Sequence, residues 1–143
     1  MKIVSLSKED CSTIANFFKD NFSDGWTEDM LISAFNSGRF FALAVKDESA
    51  LLGVITFSLS VDSADIEDVV VQKNKRKQGI GSVLIEEALS EIKNAKKEKV
   101  FLEVRDSNLP AIGAYEKFGF KKISVRKKYY QDGENALVML KEF

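Results

Sequence analysis

The sequence has 143 residues, 45% hydrophobic and 30% charged, with one proline and a formal net charge of −1, a balance that fits one hydrophobic core and leaves little room for a second domain. So small a net charge gives no global field for nucleic acid or a membrane surface, and no apolar run approaches the ~18 residues of a spanning helix. The chain has no histidine and one cysteine, which excludes Ser-His-Asp and Cys-His catalysis, the usual zinc sites and an internal disulfide, and leaves carboxylates, tyrosines and backbone groups for chemistry.

A single domain over 1–143 with no bound metal is expected. The lone Cys11 points to a reducing compartment, and Met1-Lys2-Ile3-Val4-Ser5 lacks a signal-peptide apolar block, so a cytoplasmic setting is expected. So are a monomer or weak homodimer, no membrane and no direct nucleic-acid binding.

In chain order, Ile3 to Leu6 reads as a short strand. Ser7 and Asp10 have the spacing of a capping box. Cys11, Ile14, Ala15, Phe18 and Phe22 then recur at helical period, which makes Cys11 core filling rather than a nucleophile. Thr27 caps a second predicted helix with Met30, Leu31, Ala34 and Phe35 inward and Gly38 at its end. Strands are predicted over 40–45 and 51–60 about a turn at 46–49, and over 65–71, ending in Val69-Val70-Val71. Residues 81–97 carry Leu84, Ile85, Ala88, Leu89 and Ile92 on one face and read as a helix. A strand over 100–105 puts Val100, Leu102 and Val104 on one side and Phe101, Glu103 and Arg105 on the other. Asn108 caps a short helix that runs through Phe118 and stops at Gly119. A hairpin of 120–130 and 134–140, turning at Asp132-Gly133, completes the chain. The fold class is α+β: a central, mostly antiparallel mixed sheet with a parallel β-α-β unit at its centre and helices flanking it.

The loop between the strand over 65–71 and the long helix reads Arg76-Lys77-Gln78-Gly79-Ile80-Gly81. A glycine loop that opens a helix offers free N–H groups and the positive end of the helix dipole to an anion. On the two glycines alone, a solvated turn explains the loop as well as a phosphate cradle does. G-x-G-x-x-G fails because Leu84 holds the third position, and G-x-x-x-x-G-K-[ST] is absent.

Preceded by Val69-Val70-Val71, this loop resembles the [RQ]-x-x-G-x-[GA] signature with which the GNAT N-acetyltransferases bind acetyl-CoA, and the element order is similar to that family's over nearly the whole chain. The resemblance implies that backbone amides of Lys77, Gln78, Gly79, Ile80, Gly81 and Ser82 bind the pyrophosphate. It implies that the backbone of Val69, Val70 and Val71 pairs with the pantetheine arm as an added strand, and that one of Lys73, Lys75, Arg76 or Lys77 meets the 3′-phosphate. The run Leu102-Glu103-Val104-Arg105-Asp106-Ser107-Asn108, followed by Ala111, Tyr115, Gly119 and Phe120, resembles the RimI-type ribosomal-protein alanine N-acetyltransferases and their protein N-terminal relatives. Trp26-Thr27-Glu28, Arg126-Lys127-Lys128-Tyr129-Tyr130 and the Asp132–Met139 segment resemble the same subfamily. The activity implied is acetyl transfer from acetyl-CoA to a protein N-terminal α-amine, that of a ribosomal protein beginning with alanine. Trp26, Tyr129 and Tyr130, with the loop 22–26, are then expected to wall the peptide entrance. Asn108 is then expected to bond the pantetheine amide as well as to cap its helix.

The reaction needs one proton off an ammonium and one onto a thiolate. A protein α-amine has a pKa of roughly 8 and a lysine amine roughly 10.4, so an α-amine needs only a modest base such as a carboxylate. Glu103 is the candidate base, with an arginine-paired surface glutamate as the bland alternative, and Tyr115 is the candidate acid, with simple helix packing as its alternative. Glu67 is a rival base. The pair Glu67-Asp68 departs from the subfamily, which carries a neutral residue and Asn or Thr there, and a strand glutamate at this place is found in relatives that acetylate small amines. Strict alternation puts Glu67 on a face with Val69 and Val71. A small-molecule amine or a lysine side chain is therefore the alternative acceptor, and a non-catalytic acyl-CoA-binding module the third reading.

Overall fold

The computed structural model describes residues 1–22 and 25–143. Strand β1 (Lys2–Leu6) leads through a 3-10 turn (Lys8–Asp10) into α1 (Cys11–Asn21) and α2 (Glu28–Asn36). Next come β2 (Phe40–Asp47), β3 (Ala50–Leu59) and β4 (Ser63–Val71), then α3 (Ile80–Asn94), β5 (Lys99–Arg105) and α4 (Leu109–Lys117). The strands β6 (Lys121–Arg126) and β7 (Ala136–Glu142) follow. The seven strands form one sheet in the order β1-β2-β3-β4-β5-β7-β6. All neighbours are antiparallel except β4 and β5, whose connection through α3 makes the parallel crossover that the element order predicts.

Local chemistry sets the helix starts. The Ser7 N–H donates to Asp10 Oδ2 at 2.8 Å, the capping box read from the sequence, and Thr27 Oγ1 accepts the Met30 N–H at 3.2 Å. Helices α1 and α2 cover one face of the sheet through Ile14, Phe18 and Leu31, all fully buried against Phe40, Ala44, Val54 and Val70. Helix α3 covers the other face, where Leu84, Ile85, Ala88 and Ile92 meet Ile55, Phe57, Ile66 and Leu102. Each such aliphatic or aromatic side chain stabilises the fold by about 1.5–3 kcal/mol. Gly53 lets α3 come this close to β3: a Cβ there would stand 2.8 Å from Ile80 Cγ2. Cys11 is buried in the first core, as its helical position predicts, and Phe17, unmarked by the sequence pattern, joins it.

Three expectations need correction. Met30 turns outward and is 50% exposed, one position round the helix from the buried stripe led by Leu31. The final hairpin is not tight. Residues 127–135 form a loop in which Arg105 Nη1 binds Asp132 Oδ2 at 2.8 Å and Glu134 Oε1 at 3.0 Å, so Tyr129 and Tyr130 lie in the loop and not at a strand end. The third concerns β4. Its register with β3 slips so that Ile66 faces Phe57 while Asp68 faces Thr56, which leaves Glu67 as an extra residue in a bulge. The bulge breaks the alternation. Ile66, Val69 and Val71 all pack toward α3, Val70 packs toward α1, and Glu67 lies on the α1/α2 face, opposite to Val69 and Val71, where its Oε1 accepts from Ser58 Oγ at 2.9 Å.

Candidate active site

The two halves of the sheet meet at β4 and β5, and they meet briefly. Pairing runs from Ser63 opposite Lys99 to Ile66 opposite Leu102 and then stops. From Glu67 to Val71 no strand pairs with the β5-facing edge of β4, an edge of the kind that accepts an added strand.

The loop after β4 opens α3 with a backbone that leaves N–H groups free. Lys77 and Gly79 both have left-handed backbones, at φ 64° and 84°, and no atom lies within 4 Å of where a Gly79 Cβ would stand. The first inward helical bond of α3 is Val83 N–H to Gly79 O at 3.0 Å, and no side chain caps the helix. The N–H groups of Ile80, Gly81 and Ser82 are thus the free donors of a first helical turn. Asn21 and Arg76 fix the approach to this loop. The buried Asn21 donates to Phe17 O at 2.9 Å and accepts the Lys73 N–H at 3.0 Å. The Arg76 guanidinium donates to Asn21 O at 2.7 Å and to Val71 O at 3.3 Å. Its side chain is therefore engaged by the protein, while Lys73, Lys77 and Ser82 are exposed.

Where the strands part, a cavity of about 710 Å³ opens, lined by β4, β5, α4, the α1–α2 connection and the 127–135 loop. It joins the two faces of the sheet: Asn108, Ala111 and Tyr115 belong to the α3/α4 side, and Asp65, Glu67, Phe101 and Glu103 to the side of α1 and α2. Tyr115 is buried, with its ring edge-on to Phe120 at 5.8 Å. Burial above all pushes its phenol well above the usual value, and the charges of Asp68 and Tyr130 add to the rise. Asn108 Oδ1 accepts the Ala111 N–H at 3.3 Å, so the cap forms on a helix whose first turn carries Pro110.

Glu103 stands across from Tyr115 on the opposite face of β5. Arg126 Nε lies 3.3 Å from Glu103 Oε2, so the arginine pairing weighed as the bland reading is present inside the cavity. Burial first, then the nearby Glu103 carboxylate, raise the Tyr129 phenol, and Arg126 lowers it. Tyr130 lies flat beneath the Arg105 guanidinium, 4.0 Å from ring centroid to Cζ. Ser107 and Arg105 hold the Glu134 carboxyl well below the usual range, and the Ser107 N–H bonds Glu134 at 3.0 Å. Burial pushes the Glu67 carboxyl up. The Ser58 bond opposes this, and the charges of Asp65 and Glu103 add to it.

The cavity thus gathers Trp26, Glu67, Val69, Glu103, Asn108, Tyr115, Tyr129 and Tyr130, while Val70 points into the α1/α2 core. Of the expected entrance loop 22–26, Phe22 and Trp26 line the cavity, and Ser23 and Asp24 lie outside the described residues. Sequence reasoning missed Arg105, Arg126 and Ser58 as partners. The signal for Arg105 was its alternation with Glu103 on one strand face. Ser58 carried none, because the bulge that brings Glu67 to it leaves no mark in composition.

Comparison with known proteins agrees with this geometry. The sequence profile of the Acetyltransferase (GNAT) family matches residues 11–120. A Bacillus subtilis (strain 168) protein, provisionally named a ribosomal protein bS18-alanine N-acetyltransferase, is 31% identical over 137 residues, covering 94% of this chain and 91% of its own length. An N-alpha-acetyltransferase of Saccharolobus solfataricus is 42% identical over 80 residues, 55% of this chain, and the match spans about half (48%) of that protein. The crystal structure of the ribosomal-protein-S18-alanine N-acetyltransferase from Escherichia coli superposes with a TM-score of 0.91 at 26% identity, over 99% of this chain and 92% of that one. The edge of β4 left without a neighbouring strand, the glycine loop that opens α3 and these matches lead to one conclusion: the chain belongs to the Acetyltransferase (GNAT) family and is an acetyl-CoA-dependent acetyltransferase.

Proposed function

We propose that the protein transfers the acetyl group of acetyl-CoA to the α-amine of a protein N-terminus, that of a ribosomal protein of the bS18 type. The observation that carries this reading is the cavity through the sheet, with a carboxylate on one side and a buried phenol on the other, walled by Trp26, Tyr129 and Tyr130. The names of the relatives above support the same acceptor.

The donor binds on the α3/α4 side. Free N–H groups from Lys77 to Ser82 take the pyrophosphate, the edge of Val69, Val70 and Val71 pairs with the pantetheine arm, and Asn108 lies beside it. The acceptor enters from the α1/α2 side, where Glu103 takes a proton from its ammonium. The free amine attacks the thioester carbonyl, the new C–N bond forms, the C–S bond breaks, Tyr115 gives its proton to the departing sulfur, and the second proton shed by the new amide nitrogen restores the phenol. The high pKa of Tyr115 keeps that proton in place throughout the working range. The same dry surroundings also raise the affinity of a thiolate for a proton, which narrows the mismatch between donor and leaving group.

Three acceptors test the reading: an Ala-initiated peptide without lysine, the same peptide with a blocked α-amine and an internal lysine, and a polyamine. Acetylation of the first alone is expected. Acetylation of only the polyamine or the lysine overturns it. A small-amine reading draws on Glu67, whose raised carboxyl faces the cavity and suits a base.

A further inference from the structure

Glu67 lines the cavity and has no part in the acetyl transfer described above. The bulge on β4 turns Glu67 out of the ladder and onto the acceptor side, and Ser58 Oγ holds it there at 2.9 Å. Among the described residues no lysine or arginine pairs with Glu67, whereas Glu103 has Arg126 and Glu134 has Arg105. The charged groups that act on Glu67 are Asp65 and Glu103, both negative. A crowded carboxylate without a cation is costly to the protein alone, and a positive charge from outside offsets that cost.

The register locates such a charge. The parallel ladder ends with Ile66 beside Leu102, so Glu67 and Glu103 are the next residues on two adjacent strands that lie about 4.8 Å apart before they diverge. An acceptor whose ammonium reaches Glu103 therefore has Glu67 within about one residue's length along its chain.

We propose that Glu67 is a specificity-determining residue, which selects acceptors carrying lysine or arginine directly after the residue that is acetylated. This rests on the reading of the acceptor as a protein N-terminus. Glu67 acts on binding and leaves proton removal to Glu103. A neutral second residue leaves its carboxylate without a partner, and an acidic one meets direct repulsion.

The test compares lysine-free peptides beginning Ala-Arg, Ala-Ser and Ala-Glu, with α-acetylation read by mass spectrometry and kcat/KM measured for each. The intact protein is expected to prefer Ala-Arg over Ala-Ser by about tenfold, with Ala-Glu poorest, and added salt should shrink the preference. Glu67→Gln should reduce the ratio to about twofold, through KM for Ala-Arg, and Glu67→Lys should invert the order in favour of Ala-Glu. Retention of acetyl-CoA binding shows that each variant is folded. An unchanged ratio in both variants overturns the proposal. So does an equal loss of kcat on every peptide, which assigns Glu67 to proton transfer. Acetylation of the polyamine with no peptide acetylated overturns the N-terminal reading itself, and this proposal with it.

Discussion

The donor and acceptor sides of the cavity are held by different kinds of interaction. The donor loop is fixed by hydrogen bonds to backbone and by close packing: the buried Asn21 bridges Phe17 and Lys73, the Arg76 side chain reaches the carbonyls of Asn21 and Val71, and Gly53 lets α3 press onto β3. The acceptor wall is fixed by charge: Arg105 to Asp132 and Glu134, Arg126 to Glu103, each with partly exposed partners. Strand β6, which carries Arg126, is exposed at every residue. Buried contacts tolerate little change, while exposed ion pairs contribute about 0–1 kcal/mol and are screened by salt. The same fold can therefore keep one donor and vary its acceptor by changing charges on one wall.

The largest effects should come from the two groups that face each other across the parting strands. Glu103→Gln is expected to lower kcat about 10³-fold, and Tyr115→Phe about 10²-fold, with acetyl-CoA binding by calorimetry nearly unchanged in both. If Glu103→Gln turns over normally and Glu67→Gln does not, the base lies on β4, and the division between the two sides must be redrawn. Equal turnover of Tyr115→Phe removes the phenol as the acid and leaves it a packing residue.

Smaller effects should separate the walls. Arg105→Ala releases Asp132, Glu134 and the Tyr130 ring together. It is expected to raise the peptide KM about tenfold while the acetyl-CoA KM stays within a factor of two. High salt should weaken peptide binding by the intact protein in the same direction, and little change there would show that charge does not hold this wall. Gly79→Ala tests the other side. Its left-handed backbone costs an L-residue about 1–2 kcal/mol, although space is open around it. The acetyl-CoA KM should rise a few-fold, a thermal melt should show the strain, and the peptide KM should not respond.

Most of the fold and the donor side were legible in the sequence, because both follow from local patterns. Period 3.6 in α3, alternation in β5, and the caps at Ser7, Thr27 and Asn108 each depend on neighbours in the chain. The acceptor side was legible in its residue types but not in their placement. The bulge at Glu67 is a register event between two strands, and it reversed the face that strict alternation predicts. Tyr129 and Tyr130 were drawn into a loop by Arg105, more than twenty residues earlier. The splaying of β4 from β5, which makes the cavity, depends on where a ladder stops, and no residue in either strand announces that point.

Glu67 offers the smallest effect and the most direct test of the uneven division between the walls. Its folded-state carboxyl is raised, so between the unfolded and folded pKa values the native state binds more protons than the unfolded chain. Stability therefore falls as pH rises through that window, and above it the ionised Glu67 is a standing cost. Glu67→Gln keeps an acceptor for the Ser58 hydroxyl and removes the charge. Its Tm at pH 7 should exceed that of the parent by about 2 °C or less, and the gain should fade as the pH drops below about 4, where both chains are neutral at this position. A gain that persists at low pH would come from packing instead. A loss at pH 7 would mean that the protein itself supplies Glu67 with a favourable partner, and the carboxylate would then have no need of a cation from the acceptor.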